Sequence, residues 1–270
     1  MLKKIQLLMS LLMLIIPAIV LNGCYIETDV GNGEYIDREP PAIPRGVRTI
    51  TGDGYVDIEW YPNAEFDLAG YIVWRSTNNR DFDAIADLPE DITQYTDTDV
   101  RNGRTYYYAV SAYDSNNPSN ESDLSPENVW DTPRPEGRNI ILEDYNFEPD
   151  RSGFDFSNFG KGTIAWDDRT TDVYFGFDTV VNVAYLYSDN QTKLQDLGFH
   201  ESFDGIDFVP TQGYTSLFVE LLEGHIYAIV TPDNNYAKIH VRRLSDFDVV
   251  FDWAYQTEPR NTQLAPALQR

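Results

Sequence analysis

Apolar and polar residues alternate over short runs in the first half of the chain. Val56, Ile58 and Trp60 fall on one side of such a run, and Asp57 and Glu59 fall on the other. Runs at 71–75 and 106–113 have the same period of two, and turns containing Gly or Asn separate them. The pattern predicts half-buried antiparallel strands, because successive side chains of a strand point to opposite faces. Short strands with frequent turns are typical of a β-sandwich, which we place at residues 41–131.

Residues 138–270 show the same signals and predict a second antiparallel β domain of unknown function. The fold class is therefore expected to be all-β: a sandwich followed by a second β domain. No stretch after residue 24 has the 3.6-residue period of an amphipathic helix. Residues 132–137 form the linker, in which Pro133 and Pro135 predict an extended, semi-rigid connection. The strands predicted in the second domain are 139–142, 163–166, 172–177, 180–187, 216–222, 225–231, 236–243 and 249–255.

A hairpin between 225–231 and 236–243 is the clearest local prediction. With Pro232 opposite Asn235, the loop contains two residues. His225 and His240 then lie diagonally on the polar face, about 7–8 Å apart, where they could share a metal or haem. The alternative is that they are two exposed strand residues. The inward face in this register consists of Ile226, Ala228, Val230, Ala237, Ile239 and Val241.

The first domain resembles a fibronectin type III domain in several runs that occur in the family's order. The resemblance implies three structural residues: Trp60, Tyr71 and Tyr106. Tyr106 corresponds to the tyrosine corner, whose hydroxyl bonds to upstream backbone. It implies a spacer or interaction module, and it fixes architecture only. The matching residues are Pro41, Pro44, Val47, Trp60, Gly70-Tyr71-x-Val73-x-Arg75, Tyr95-x-Asp97, Gly103-x-x-Tyr106-x-Tyr108-x-Val110-x-Ala112, Ser122 and Ser125.

The end of the second domain is similar to HmuY-like lipoproteins of the Bacteroidetes type, which carry haem in an all-β fold. The haem ligands of that family do not align with this chain, which has three His and no Met after Met13. We therefore predict no cofactor and no metal. The similar residues are Tyr227-x-x-Val230-Thr231-x-Asp233, Tyr236-Ala237-Lys238-Ile239 and Phe251-x-x-Ala254-Tyr255-Gln256.

The N-terminus has the layout of a targeting segment. Lys3 and Lys4 precede an apolar run at 7–21, which is short for a membrane-spanning helix. The next residues, Leu21-Asn22-Gly23-Cys24, resemble the lipobox of bacterial lipoproteins. The resemblance implies a signal peptide at 1–23 and a lipid (palmitate-type acyl chains) on Cys24, and Tyr25 in place of Asp favours the outer membrane. The alternative is an ordinary signal peptide or anchor helix with a chance Cys.

Residues 24–40 contain glycines, prolines and acidic residues with little apolar periodicity, which is typical of a tether. The lipid on Cys24 would bind the membrane, since two or three acyl chains give stable anchoring. We therefore expect a lipid-anchored protein of the cell envelope. It would face either the periplasm or the outside.

The net charge of the chain limits the classes of partner that it is expected to bind. It has 44 Asp and Glu against 20 Lys and Arg, a net charge of −24. Nucleic acid is therefore not an expected partner, because no basic stripe displaces phosphate counterions. Two explanations of the excess of acidic residues are open. The protein comes from a saline habitat, where salt screens the repulsion between its charges, or its carboxylates bind calcium. The single Cys cannot form an internal disulfide.

No catalytic motif occurs in the sequence, and aromatic residues are the better lead. Trp74, Tyr107 and Tyr113 point away from the predicted first core, and Phe154, Phe156 and Phe159 lie in a Gly-containing loop. They suit contacts with a glycan or protein partner, or an interface between domains. We thus expect a non-enzymatic binding lipoprotein. The alternatives are a carrier of a haem-type ligand and a surface glycan hydrolase. A hydrolase needs two facing carboxylates, and a chain with 44 acidic residues forms such pairs by chance.

Overall fold

A computed structural model of the chain describes residues 37–116 and 118–265. The described residues form sixteen β-strands and no α-helix, so the predicted all-β class is confirmed. The remaining regular elements are three 3₁₀ turns, at Pro149–Arg151, Phe159–Lys161 and Phe203–Gly205. Cys24 and the predicted signal peptide at 1–23 lie outside the described residues.

The first seven strands form the predicted fibronectin type III-like sandwich. One sheet has the order β1-β2-β5 and the other the order β4-β3-β6-β7. Their facing side chains form one core cluster, because inward residues alternate with outward ones along each strand. The strands are β1 (Arg48–Gly52), β2 (Tyr55–Glu59), β3 (Leu68–Ser76), β4 (Asp83–Pro89), β5 (Gln94–Asp97), β6 (Tyr106–Asp114) and β7 (Val129–Asp131).

The three residues implied by the fibronectin resemblance all belong to this core. The rings of Trp60 and Tyr71 meet edge to face with centroids 5.4 Å apart. The hydroxyl of Tyr71 accepts a hydrogen bond from the backbone N–H of Asn63 at 2.7 Å. The hydroxyl of Tyr106 accepts one from the backbone N–H of Arg101 at 3.1 Å, as a tyrosine corner requires.

The remaining nine strands form one antiparallel, nearly closed sheet with the order β10-β9-β11-β12-β14-β15-β16-β8, and β13 also pairs with β12. The end of β8 approaches β11, where the N–H of Tyr145 donates to the backbone O of Phe175 at 3.1 Å. The strands are β8 (Glu136–Glu143), β9 (Gly153–Phe154), β10 (Thr163–Ile164), β11 (Val173–Asp178), β12 (Val183–Phe199), β13 (Thr215–Glu220), β14 (His225–Val230), β15 (Tyr236–Leu244) and β16 (Asp248–Tyr255).

Each predicted strand of this region overlaps an observed one, but two features were missed. The two-residue strand β9 has no periodicity that a pattern could reveal. β12 extends to Phe199, twelve residues beyond the predicted end at 187. Its register against β13 shifts between Ser188 and Lys193, so a bulge interrupts the alternation on which the prediction depended.

The predicted register of the β14–β15 hairpin is wrong by one residue. Val230 pairs with Tyr236, and Thr231 donates its N–H to the backbone O of Asn235 at 3.0 Å, which leaves three residues in the loop. A one-residue slip moves every side chain of one strand to the opposite face. The inward residues are therefore Tyr227, Ile229, Ala237, Ile239 and Val241, and not Ile226, Ala228 and Val230.

The outer face of this hairpin is buried as well. A second cluster covers it, made from the loop after β12, the end of the described chain and the outer side chains of the sheet: Phe203, Val209, Ala228, Tyr236, Ala254 and Leu264. Lys238 is fully buried within this layer. Its Nζ donates to the backbone O of Phe203 at 2.6 Å and lies 4.2 Å from the centre of the Phe203 ring. Burial lowers the pKa of Lys238 to about 7.

The proline-containing linker is buried between the sandwich and the large sheet. Thr132, Arg134 and their neighbouring prolines have almost no exposed surface. Gly103 donates its N–H to the backbone O of Pro133 at 2.8 Å, and Arg134 donates its N–H to Gly52 at 3.2 Å. Packing and hydrogen bonds therefore hold this segment in place, in addition to the stiffness of proline.

Candidate functional site

Six aromatic side chains gather on the outer side of the large sheet, and we call this set the aromatic face. Strand alternation places them there: Ala184 and Leu186 of β12 point to the core, so Tyr185 and Tyr187 point outward. β12 lies between β11 and β13, which adds outward rings on both sides. The aromatic face consists of Tyr145, Trp166, Tyr174, Tyr185, Tyr187 and Phe218.

Cross-strand pairing sets the order of the rings. Tyr187 pairs with Tyr174 of β11 and with Phe218 of β13. The rings of Tyr174 and Tyr187 are stacked, with centroids 5.2 Å apart and an angle of 17° between planes. Tyr185 meets Phe218 edge to face at 5.3 Å. Such contacts each stabilise the sheet and hold the ring planes in fixed orientations.

Gly176 makes room for Tyr145 on this face. A Cβ on Gly176 would lie 2.5 Å from Cε1 of Tyr145 and 3.1 Å from a ring carbon of Tyr187. The absence of a side chain in β11 thus lets the loop residue Tyr145 settle over the strand. Trp166 extends the surface, with its ring 5.5 Å from Tyr145 and 5.4 Å from Tyr174.

Polar groups surround the rings. The hydroxyl of Tyr174 donates to Oδ2 of Asp189 at 3.1 Å, and burial together with that carboxylate raises the pKa of Tyr174. Beside the rings lies an open cleft of about 350 Å³. Its lining residues are Tyr145, Asn146, Phe147, Phe177, Asp178, Thr179 and Tyr187. The face therefore offers ring surfaces next to hydrogen-bonding amide, hydroxyl and carboxylate groups.

This combination is suited to a ligand with both apolar and hydroxyl-bearing surfaces. Aromatic side chains supply large, rigid contact areas, and a few placed polar groups fix the orientation of a ligand. A sugar ring has these two properties, because its C–H groups can lie against a ring while its hydroxyls bond to the rim. Within 37–116 and 118–265, no group of three or more His, Cys, Asp or Glu is arranged to hold a metal ion.

His225 and His240 are not brought together, contrary to the expected shared face. Ile226 pairs with His240, so the neighbouring His225 points to the opposite side of the sheet. Nδ1 of His225 lies 3.0 Å from Oδ1 of Asp196. His240 is buried, its Nε2 donates to the backbone O of His200 at 3.1 Å, and burial lowers its pKa. The one-residue error in register explains the failure of this prediction.

The aromatic residues that the sequence suggested for partner contacts are exposed in some cases and buried in others. Phe154, in β9, and Phe156, two residues beyond it, are fully buried in the core of the large sheet and are not surface groups. Phe159 keeps 37% of its surface exposed. Trp74 is half-buried, and its indole N–H donates to the hydroxyl of Ser111 at 2.8 Å.

Sequence reasoning missed the aromatic face as a site. The outward pair Tyr185 and Tyr187 was visible in the predicted strand 180–187, and Tyr174 in the strand 172–177. The contribution of Tyr145 and Trp166 was not, because both belong to loops that only the folded sheet brings over β11.

Two carboxylates also share a cleft on the sandwich, as a hydrolase would require. Asp57 and Glu59 line an open depression of about 480 Å³ on the outer side of β2. Glu59 is paired with Arg48, and Oδ1 of Asp57 accepts the hydroxyl of Thr96 at 2.5 Å. The hydrolase and carrier alternatives both stay predictions. Among the described residues, none of the helical elements has the length and apolarity needed to cross a membrane.

Comparison with known proteins gives partial similarities. No known family model matches the sequence. The chain is 34% identical over 108 residues to an amylopullulanase of Thermoanaerobacter thermohydrosulfuricus. The matched segment is 40% of this chain and 7% of that protein. A similar segment occurs in an amylopullulanase of Thermoanaerobacterium saccharolyticum, with 33% identity over 115 residues. The chain thus spans less than a tenth of the length of these relatives.

Two solved structures are also similar. A fibronectin type III-like protein of Clostridium thermocellum shares 31% identity over 34% of this chain and 92% of its own, with a TM-score of 0.28. A DUF4466 family protein of Parabacteroides merdae covers 82% of this chain and 99% of its own, with 12% identity and a TM-score of 0.49. The resemblance to HmuY-like lipoproteins stays a prediction.

Proposed function

We propose that this chain is a non-enzymatic, lipid-anchored protein of the cell envelope that binds a glycan. Its fibronectin-like sandwich acts as a spacer, and the large sheet carries the binding surface. Cys24 would hold the lipid, which anchors the protein in the outer membrane. The observation that carries the proposal is the aromatic face, six ordered rings beside a polar cleft, of which Tyr174 is buried and the other five keep exposed surface.

The ring arrangement favours a glycan over a purely apolar ligand. The outer rings, such as Phe218 with half its surface exposed, lie on a sheet face and do not enclose a cavity. An extended chain of sugars can lie across such a surface and meet several rings at once. The named activity of the amylopullulanase relatives concerns proteins of which this chain matches a small part, and it supports only the choice of polysaccharides to test.

The carboxylates at the rim favour a neutral glycan. Asp178 lines the cleft and Asp189 bonds to Tyr174. The chain also carries a net charge of −24, so an anionic polysaccharide would be repelled at low salt. A neutral polysaccharide meets no such barrier, and its hydroxyls can donate to the carboxylates.

Binding to a panel of soluble polysaccharides tests the proposal. We expect the purified protein to bind at least one neutral polysaccharide, such as pullulan or a mixed-linkage β-glucan, in isothermal titration calorimetry. Polygalacturonate should not bind. Tyr185→Ala and Phe218→Ala should each raise Kd about fivefold or more, because central aromatic contacts typically contribute at least about 1 kcal/mol.

Phe66→Ala is the matched control, since Phe66 is 98% exposed and belongs to the sandwich, whereas the aromatic face belongs to the large sheet. It should leave Kd unchanged. Binding that survives both variants on the aromatic face, or a panel with no ligand at all, would contradict the proposed glycan site. Circular dichroism spectra of the variants separate a lost contact from a lost fold.

Cell fractionation tests the anchor separately. The native chain should be found in the outer-membrane fraction, and Cys24→Ala should be released from it. Protease treatment of whole cells then distinguishes an outward from a periplasmic orientation. A Cys24→Ala protein that stays in the membrane fraction would reject the lipid anchor but leave the glycan site untouched.

A further inference from the structure

A second exposed surface occupies one end of the large sheet, where four loops meet. The loops are 144–148, 178–183, 221–224 and 245–247. Asp144 donates its N–H to the backbone O of Phe247 at 2.7 Å, and Oδ2 of Asp144 accepts the N–H of Phe177 at 3.1 Å. We call the apolar side chains at the tips of these loops the crown: Phe147, Val180, Val181, Leu222 and Phe247.

The crown is unusually exposed for apolar side chains. Val180 is 89% exposed, and Phe147 and Phe247 are each 63% exposed. The two Phe rings meet edge to face with centroids 5.7 Å apart. A clustered, rather than scattered, set of exposed apolar residues is characteristic of an interaction surface.

The loops that carry the crown are held in place. The carboxylate of Asp178 accepts the N–H of Val180 at 2.8 Å, which fixes the turn between β11 and β12. The hydroxyl of Ser245 donates to Oδ1 of Asp248 at 2.6 Å and accepts the N–H of Phe247 at 3.2 Å. A preformed surface loses less conformational entropy on binding than a mobile one.

Two clefts open between the loops, and both are acidic. The first is the 350 Å³ cleft beside the aromatic face; the second, of about 360 Å³, lies between the β11–β12, β13–β14 and β15–β16 loops. No Lys, Arg or His lines either of them. The carboxylates that line them are Asp178, Glu220, Glu223 and Asp246. Apolar tips thus alternate with negative charge.

The crown lies at the end of the large sheet opposite the sandwich. β8 starts at Glu136, beside the buried linker, and ends at Glu143, beside the crown. The sandwich contacts the linker at Gly52, the last residue of β1. Ala42, at the start of the sandwich, bonds to Glu65 within the sandwich itself. The sandwich therefore leaves the crown uncovered.

We propose that the crown docks a polypeptide segment that carries apolar side chains flanked by Lys or Arg. Apolar residues of the partner fill the space between Phe147, Leu222 and Phe247, while its cations pair with the carboxylates of the clefts. A second copy of this chain does not fit, because it would bring the same carboxylates face to face. Anionic lipid headgroups would meet the same repulsion.

Synthetic peptides test this proposal on the full chain with Cys24→Ala. Three labelled 12-residue peptides are compared by fluorescence anisotropy: one with alternating Leu and Lys, one with alternating Leu and Glu, and one with alternating Ser and Lys. We expect the Leu/Lys peptide to bind at least tenfold more tightly than the other two. Phe147→Ser with Phe247→Ser should weaken that binding about tenfold, and Glu223→Gln with Asp246→Asn should reduce its dependence on salt.

The control is Phe66→Ser, which removes an exposed Phe ring on the sandwich, outside the crown, and should leave binding unchanged. Equal binding of all three peptides, or no effect of the crown variant, would overturn the proposal. So would vesicle binding or self-association that the crown variant abolishes, since these assign the surface to a membrane or to a second copy. Leu222→Ser, which changes a crown residue that lines only the second cleft, should also weaken peptide binding and should leave glycan affinity unchanged.

Discussion

The side-chain amide of Gln263 donates a hydrogen bond to Oδ1 of Asp131 at 3.0 Å, across 132 residues of chain. Both residues are fully buried. Asp131 ends the last strand of the sandwich, and Gln263 belongs to the segment after β16. The pair therefore ties the two β regions together at the point where the chain passes from one to the other.

Replacing Gln263 by Leu should destabilise the fold. The change removes one of two donors to Oδ1 of Asp131, since the backbone N–H of Thr132 also donates to it, and one hydrogen bond typically contributes about 0.5–1.5 kcal/mol. Urea unfolding should show a decrease of this size in the free energy of unfolding. Gln94→Leu, at an exposed position of β5, is the control and should change it by less than about 0.5 kcal/mol. Equal effects of the two variants would contradict the importance of the junction.

Stability should fall as pH rises from about 4 towards 7. Burial raises the pKa of Asp131 to about 7 and that of Asp172 to about 6, against 3.8 for an ordinary Asp. In that window these two carboxyls keep protons in the folded state that they have released in the unfolded state, so their contribution to the free energy of unfolding decreases with pH, against the opposing contribution of His240, whose pKa is lowered. Asp131→Asn should flatten this part of the profile measured by urea unfolding at constant ionic strength.

Above pH 7 the slope should reverse. Burial lowers the pKa of Lys238 from 10.5 to about 7. Between these values the unfolded state holds a proton that the folded state lacks, so the free energy of unfolding increases with pH. The combined profile is expected to have a minimum near pH 7. Lys238→Met should remove the rise on the alkaline side, and a rise that persists in this variant would show that other groups cause it.

Gly176→Ala should disturb the aromatic face without touching its rings. The added Cβ would lie 2.5 Å from Tyr145, which must move away from β11. We expect a weaker near-ultraviolet circular dichroism signal and, under the proposed function, a several-fold loss of glycan affinity. Gly160→Ala is the matched control, because a Cβ there meets no atom within 4 Å. If both variants keep the wild-type spectrum, Tyr145 is not held by Gly176.

Tyr106→Phe tests the tyrosine corner of the sandwich. The hydroxyl of Tyr106 accepts the N–H of Arg101 at 3.1 Å, and a single hydrogen bond contributes about 1 kcal/mol to stability. The melting temperature should fall by a few degrees. Tyr107→Phe, on the opposite face of β6, should have a smaller effect. An unchanged melting temperature in Tyr106→Phe would mean that water replaces the hydroxyl without loss.

The sandwich was predictable where, as in β2, only one face of a strand is buried. In β2 the buried residues Val56 and Ile58 alternate with half-buried ones, so periodicity, position and face agree. The β14–β15 hairpin lacks this contrast. Both Ile226 and Tyr227 are fully buried, one on each face, so no hydrophobic pattern could choose the register.

Prediction of the candidate sites depended on the same two things, the strand register and the burial of each strand face. His225 and His240 seemed adjacent only in the wrong register, and the layer that buries His240 comes from distant segments. The aromatic face needs Tyr145 from one loop and Trp166 from another, and the crown needs four loops at one end of the sheet. A pattern along the chain marks which residues share a strand face, but it does not mark which loops meet.

The hydrogen bonds from Gln263 to Asp131 and from Asn261 to Thr132 also set an order of assembly. A chain that emerges from its N-terminus completes all seven strands of the sandwich about 130 residues before Gln263 becomes available. Until then Oδ1 of Asp131 lacks its Gln263 donor, whereas the linker backbone can already bond to Gly52 and Gly103 of the sandwich. During synthesis these two side-chain bonds can therefore form only after all sandwich strands have emerged, and a chain that stalls before residue 261 would leave Asp131 and Thr132 without these two partners.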